Sequence, residues 1–190
     1  MCFKRLCAFI IDSLIILIIC SLLSFPFVDG SKINKLMLEF NDSYQSYIDN
    51  KIDDKVFVNQ AEDISYDILR INSLVSVISI AISIFYFVIY QYKSGQTIGK
   101  KIFKIKIEGV DRELNINDYI FRSFIGYGLL FNLLNVIILM FLPKDMYIFT
   151  NMALIYSEFL ILFICAAMVI FRKDHRGLHD LIGHTKVINV

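Results

Sequence analysis

Apolar residues in this chain gather into four long runs, separated by polar stretches of different character. The runs extend from about Leu6 to Val28, Ile71 to Tyr92, Ser123 to Leu142 and Phe149 to Phe171. Each is close to the ~20 residues an α-helix needs to cross about 30 Å of hydrocarbon. The second and third hold no charged residue, and the fourth holds only Glu158. None alternates with the period of two that a barrel strand requires. The pattern predicts an all-α membrane protein with four transmembrane helices, forming a single domain over residues 1–190.

The polar stretches carry their own periodicities. Between the first two runs, Ile33, Leu36, Met37, Phe40, Tyr44, Tyr47 and Ile48 recur at helical spacing, as do Phe57, Ala61, Ile64 and Ile68. With a turn at Asn50 to Asp54, residues 29–69 read as an amphipathic helical hairpin capping the bundle. Between the second and third runs, Phe103, Ile105 and Ile107 alternate with Lys104 and Lys106. A turn at Gly109 to Glu113 follows, and Leu114 and Ile116 alternate again. The tail, residues 172–190, ends in another strand-like run, Thr185 to Val190. An isolated hairpin is marginal in water, so the tail is expected to join the 93–122 loop in a small sheet.

Composition agrees with a membrane protein: 57% of the residues are hydrophobic, against about 45–50% in soluble domains. The first run is expected to be retained. It exceeds the usual signal-peptide core, contains Asp12, and ends in Phe25-Pro26-Phe27 rather than a small-residue cleavage site. Cys2, Cys7, Cys20 and Cys165 show no metal-ligand spacing and read as packing residues.

The net charge of +1 says little, but its distribution sets an orientation. Thirteen basic residues fall in the N-terminus, the middle loop (through Arg122) and the tail, against six in the 29–70 segment and at Lys144. Both termini and the sheet are therefore expected in the cytoplasm, and the hairpin outside it. Nine acids, from Asp29 to Asp67, give that hairpin a negative face. Two readings fit it: a solvated surface on a covering element, or a funnel gathering cations.

Candidate chemistry begins with Asp12, since a carboxylate in hydrocarbon costs roughly 2.5–3.5 kcal/mol or more unless partnered. Arg5 lies seven residues earlier on the same helical face. At about 1.5 Å per residue, Asp12 sits about 12 Å deep from the cytoplasmic side, Glu158 about 18 Å, and Asn132 and Asn135 roughly 16–21 Å. These four could form a midplane site for Na⁺ or a proton, or hydrogen-bond across helices as structural glue. Asp180, beyond the last run, is expected to accept from basic residues at the helix ends, Arg5 or Arg122. His175 and His179 stand four residues apart, as do Asp180 and His184, but the two pairs point different ways on a helix interrupted by Gly177 and Gly183, which argues against a metal site. Gly95 and Gly99 stand too close together for a phosphate loop. No catalytic set is apparent, so no enzyme, cofactor or nucleic-acid partner is expected.

Three segments together resemble the RDD family of bacterial membrane proteins. Arg5-Leu-Cys-Ala8 with Asp12 is similar to the family's opening R-x-x-A-x-x-x-D. Gly95-Gln-Thr-Ile-Gly-Lys100, with Thr97 and Gly99 at its motif positions, resembles the G-x-T-x-G-K loop. Arg176-Gly-Leu-His-Asp180, with His179 and Thr185, resembles the closing R-G-L-H-D-x-x-x-x-T. The family's named arginine and aspartates map to Arg5, Asp12 and Asp180; the long acidic segment lies outside the resemblance. The resemblance implies a multi-pass protein of the bacterial cytoplasmic membrane that transports or senses a small ion or solute, with sodium/proton exchange proposed for some relatives. The alternative is a non-transporting accessory or scaffold subunit. The expected partners are the lipid bilayer, a monovalent cation, and a second copy or other membrane proteins, a dimer being needed if four helices enclose too little space.

Overall fold

The computed structural model describes residues 2–110 and 112–190. Helix α1 (Cys2–Ser24) runs through a 3-10 turn, Phe25–Phe27, into the hairpin of α2 (Gly30–Ile48) and α3 (Asp54–Ile71). Helix α4 (Ser73–Ile84) continues through a π-helical segment, Phe85–Tyr90, into the short α5 (Gln91–Ser94). The five-residue α6 (Ile98–Ile102) leads to strand β1 (Ile105–Gly109). Helices α7 (Ile116–Gly126) and α8 (Leu129–Phe141) precede the long α9 (Lys144–Phe171). The short α10 (Leu178–Ile182) and strand β2 (Thr185–Asn189) close the described chain.

Three helices, Cys2–Phe27, Ser73–Ser94 and Lys144–Phe171, are long and apolar enough to cross a membrane. The α7–α8 pair makes a fourth only if its two bent segments are taken together. The third predicted span, 123–142, is therefore not one straight helix: α7 and α8 meet at 71°. The cause is local. Gly128 stands at φ +66°, a left-handed conformation costly for residues with a Cβ, and the Glu158 carboxylate packs so closely that a Cβ there would overlap it.

The α2–α3 hairpin follows its apolar periodicity. Asp29 caps α2 by accepting from the Lys32 N–H at 3.2 Å, and Asp53 caps α3 by accepting from the Val56 N–H at 2.8 Å. Phe57 packs against Phe40, Tyr44 and Tyr47, clasping the two helices together. Tyr66 meets Tyr147 with ring centroids 5.4 Å apart, beside Leu139, so α3 rests on α8 and α9. An ion pair between Lys144 and Asp63 ties the same helices together.

Strands β1 and β2 pair antiparallel, with Ile107 opposite Val187 and Glu108 opposite Lys186. Ile105, Ile107 and Val187 turn to one face and pack against Ala8, Val88 and Tyr119. The bundle thus supplies the apolar layer that a two-stranded sheet lacks. The expected second strand at Leu114–Ile116 does not form. Asn115 instead caps α7: it accepts from the Asp118 N–H at 3.2 Å while its own N–H donates to Asp118 at 2.9 Å. That reciprocal box overrides a two-residue alternation. The expected turn at Gly109–Glu113 includes Asp111, which lies outside the described residues.

Candidate functional site

Asp12 lies on α1 one turn beyond Ala8, and both are buried, at 0% and 1% exposure. The segment after α5 folds back onto that face. Thr97 caps α6 and donates its hydroxyl to Asp12 Oδ2 at 2.5 Å, and the Gly99 N–H donates to Oδ1 at 2.8 Å. Tyr86, in the π-helical segment, donates to Oδ1 at 2.6 Å and accepts from the Ile98 N–H at 3.0 Å. Three donors thus compensate a carboxylate removed from water. Gly99 makes the approach feasible, because a Cβ there would collide with the Ala8 carbonyl and the Asp12 carboxyl.

Asp180, at the start of α10, is also fully buried and lies between two arginines. Arg5 Nη1 donates to Oδ2 at 3.0 Å and to the His175 carbonyl at 2.7 Å. Arg122 Nη1 donates to Oδ1 and, at 2.6 Å, to the Thr185 hydroxyl. Thr185 in turn donates to Oδ1 at 3.2 Å, and the Gly177 N–H donates to Oδ2 at 3.2 Å. Burial alone would raise the Asp180 carboxyl, but the surrounding charge, Arg122 foremost, holds it well below the usual carboxylate range.

Lys100 lies between these two carboxylate sites, with 6% of its surface exposed. Its Nζ donates to the Tyr127 hydroxyl at 3.2 Å. With the Gln91 amide turned so that its nitrogen donates to the Phe87 carbonyl, the Gln91 oxygen accepts from Nζ at 2.7 Å. Burial, and then Arg122, push the lysine well below its ordinary range. His179 is pushed down to about 4 by burial and by Arg122, so it is neutral at pH 7.

The cluster contains more donors than acceptors. Arg5 Nε, Arg122 Nε and His179 Nδ1 are buried without a hydrogen-bond partner among the described residues. A buried polar atom without a partner normally costs about 1–3 kcal/mol, so their grouping singles out this part of the fold. All three residues, with Lys100, line a cavity of about 550 Å³ whose remaining walls are mainly apolar side chains.

The model of the RDD family matches residues 2–184. The chain belongs to the RDD family. No curated protein and no solved structure matches it. In this RDD protein Arg5, Asp12 and Asp180 all enter hydrogen-bonded sets that join separate elements. They do so as two adjoining sets, Asp12 with Thr97 and Gly99, and Asp180 with Arg5 and Arg122. Lys100 stands between the sets, His179 lies 3.6 Å from Asp180, and Gly95 forms the left-handed turn before α6.

The polar residues grouped by depth do not converge. Asn132 is exposed and donates to the Gly128 carbonyl one turn back. Asn135 donates to Asn151 and accepts from the Tyr147 hydroxyl at 3.1 Å. Glu158 sits at the Gly128 bend. No hydrogen bond among the described residues joins any of these three to Asp12. Sequence reasoning missed Tyr86, Gln91 and Tyr127, polar groups at the end of an apolar run or inside one. Their signal was a hydroxyl or amide in a span, which hydrocarbon makes costly without a partner.

Proposed function

We propose that this RDD protein transports or senses a small solute, and that the solute brings negative charge to the Arg5–Asp180–Arg122 cluster. The observation that carries this is a surplus of positive donors: two guanidinium groups, Arg5 and Arg122, converge on one carboxylate with their Nε–H groups unpartnered among the described residues, while the acidic oxygens nearby already have donors. A monovalent cation needs free oxygen ligands, and those of Asp12 and Asp180 are engaged. The basic residues of the loop and tail favour the cytoplasmic side of a bacterial membrane for this cluster, where the solute would be met. The chemistry is recognition, with no bond made or broken.

The test is melting of purified protein in detergent with anion and cation varied separately at fixed ionic strength. Exchanging chloride for phosphate should raise the melting temperature, and Arg122→Gln should remove that rise. Exchanging Na⁺ for K⁺ should change nothing. A Na⁺-specific rise that ignores the anion would contradict this reading and restore cation exchange.

A further inference from the structure

The cavity beside the cluster has two chemically distinct sets of lining residues. Arg5, Lys100, Arg122 and His179 make the polar one. Leu6 and Phe9 of α1 with Leu162, Ala166, Val169 and Ile170 of α9 make the apolar one. Its rim continues into the apolar surface of those two helices: Phe3 is 74% exposed, and Leu6 and Ile170 are 57% and 58% exposed. In a membrane helix such residues face acyl chains, so the cavity opens sideways toward the bilayer. A volume of about 550 Å³ falls within the usual range for ligand sites, about 300–1,000 Å³.

We propose that this cavity holds an anionic phospholipid of the surrounding bilayer, its phosphate on Arg5, Arg122 and His179 and one acyl chain between α1 and α9. The inference rests on reading the cluster as an anion site and adds the ligand's class and route. Charge complementarity selects the headgroup: two guanidinium groups pair with the single carboxylate of Asp180, and among the described residues the cavity lining includes both arginines and Lys100 but no acid. Arg5 and Arg122 both line the cavity, and their guanidinium groups bind Asp180 through Nη1, leaving Nη2 to give a phosphate oxygen charge-assisted bonds. Basic pockets between membrane helices are a recurrent form of headgroup site. The apolar walls favour a chain-bearing anion over a free one, because they offer a water-soluble ion nothing.

The test uses purified protein in detergent with dioctanoyl phosphatidylglycerol, dioctanoyl phosphatidylcholine or inorganic phosphate, with thermal melting and native mass spectrometry as readouts. Ala166→Leu and Ala166→Phe fill the apolar part progressively; Ala166 is exposed, so neither disturbs packed core. The expected result is a rise of about 5–10 °C for wild type at a hundredfold excess of phosphatidylglycerol over its dissociation constant. That rise should shrink in Ala166→Leu and vanish in Ala166→Phe, with at least tenfold less lipid retained than by wild type. Phosphatidylcholine should do far less in every variant. Stabilisation by inorganic phosphate equal to that by phosphatidylglycerol, with the phosphatidylglycerol effect unchanged in Ala166→Phe, would overturn the lipid while leaving the anion site standing. Equal stabilisation by both lipids, unaffected by Ala166→Phe, would overturn it as general solvation. Indifference to all three ligands would overturn both the lipid and the anion site.

Discussion

Replacing Asp12 with Asn keeps the side chain's shape and removes its charge. In the structure Oδ1 accepts from Tyr86 at 2.6 Å and Gly99 at 2.8 Å, and Oδ2 accepts from Thr97 at 2.5 Å. The amide oxygen can keep the first two bonds. The amide nitrogen then faces Thr97, whose hydroxyl must turn to accept and loses its own acceptor. Charge-assisted bonds contribute about 1.5–3 kcal/mol each and neutral ones about 0.5–1.5, so the two retained bonds weaken by about 1 kcal/mol each. The lost one adds about 1–2 kcal/mol, and an amide's cheaper desolvation returns part of the total. The net cost is about 2–3 kcal/mol, or about 5–10 °C in melting temperature for a chain of this size. Asp12→Ala leaves three buried donors without acceptors and should cost about twice as much. Thermal melting of the two variants in one detergent checks the order. An Asp12→Asn protein that melts with wild type would refute the argument, because the three donors would then not be holding a charge.

Gly99→Ala should destabilise by about 1–3 kcal/mol, read as a lower melting temperature, because the new Cβ meets the rigid Ala8 carbonyl as well as Asp12. Gly128→Ala should cost at least 1–2 kcal/mol from its left-handed backbone, and Glu158→Ala should relieve only the side-chain overlap, recovering part of the loss in the double variant. Acidification should weaken the fold through His179. Its folded value near 4 lies below the unfolded 6.5, so its contribution is fully present above pH 6.5 and lost as pH falls toward 4. By pH 5 the loss is about 2 kcal/mol, and His179→Gln should flatten the melting profile over that window. Asp180, held below its ordinary value, contributes above the unfolded carboxylate range and loses that contribution only at still lower pH.

The sequence made the long elements legible because each is written in a single periodicity. Four apolar runs marked three membrane-length helices and one bent pair, and apolar residues at helical spacing, with a turn at Asn50 to Asp54, marked the α2–α3 hairpin. The bend in the third run was also written there, as Gly126-Tyr127-Gly128 within an apolar stretch, a signal that length alone conceals. The strand expected at Leu114–Ile116 was too short a pattern to outweigh the Asn115–Asp118 box. The midplane site fell short for a different reason. Counting residues gives depth along a helix but not which face meets which neighbour, nor that residues 95–100 fold back to Asp12. Arg5, Asp12 and Asp180 were visible as a motif. Lys100 was visible only as a motif position, since nothing in the chain indicated that its ammonium is buried between two carboxylate sites.

Anomalous diffraction from crystals of the purified protein grown with selenate, and in parallel with rubidium as the cation, locates the ion directly. The expected result is a selenate with oxygens within about 2.7–3.0 Å of the Arg5 and Arg122 guanidinium nitrogens, the spacing of a charge-assisted bond, its selenium peak one Se–O bond farther out, and no rubidium at Asp12. A rubidium peak at Asp12 or beside Glu158, with no selenium at the arginines, would contradict the assignment of this cluster to an anion.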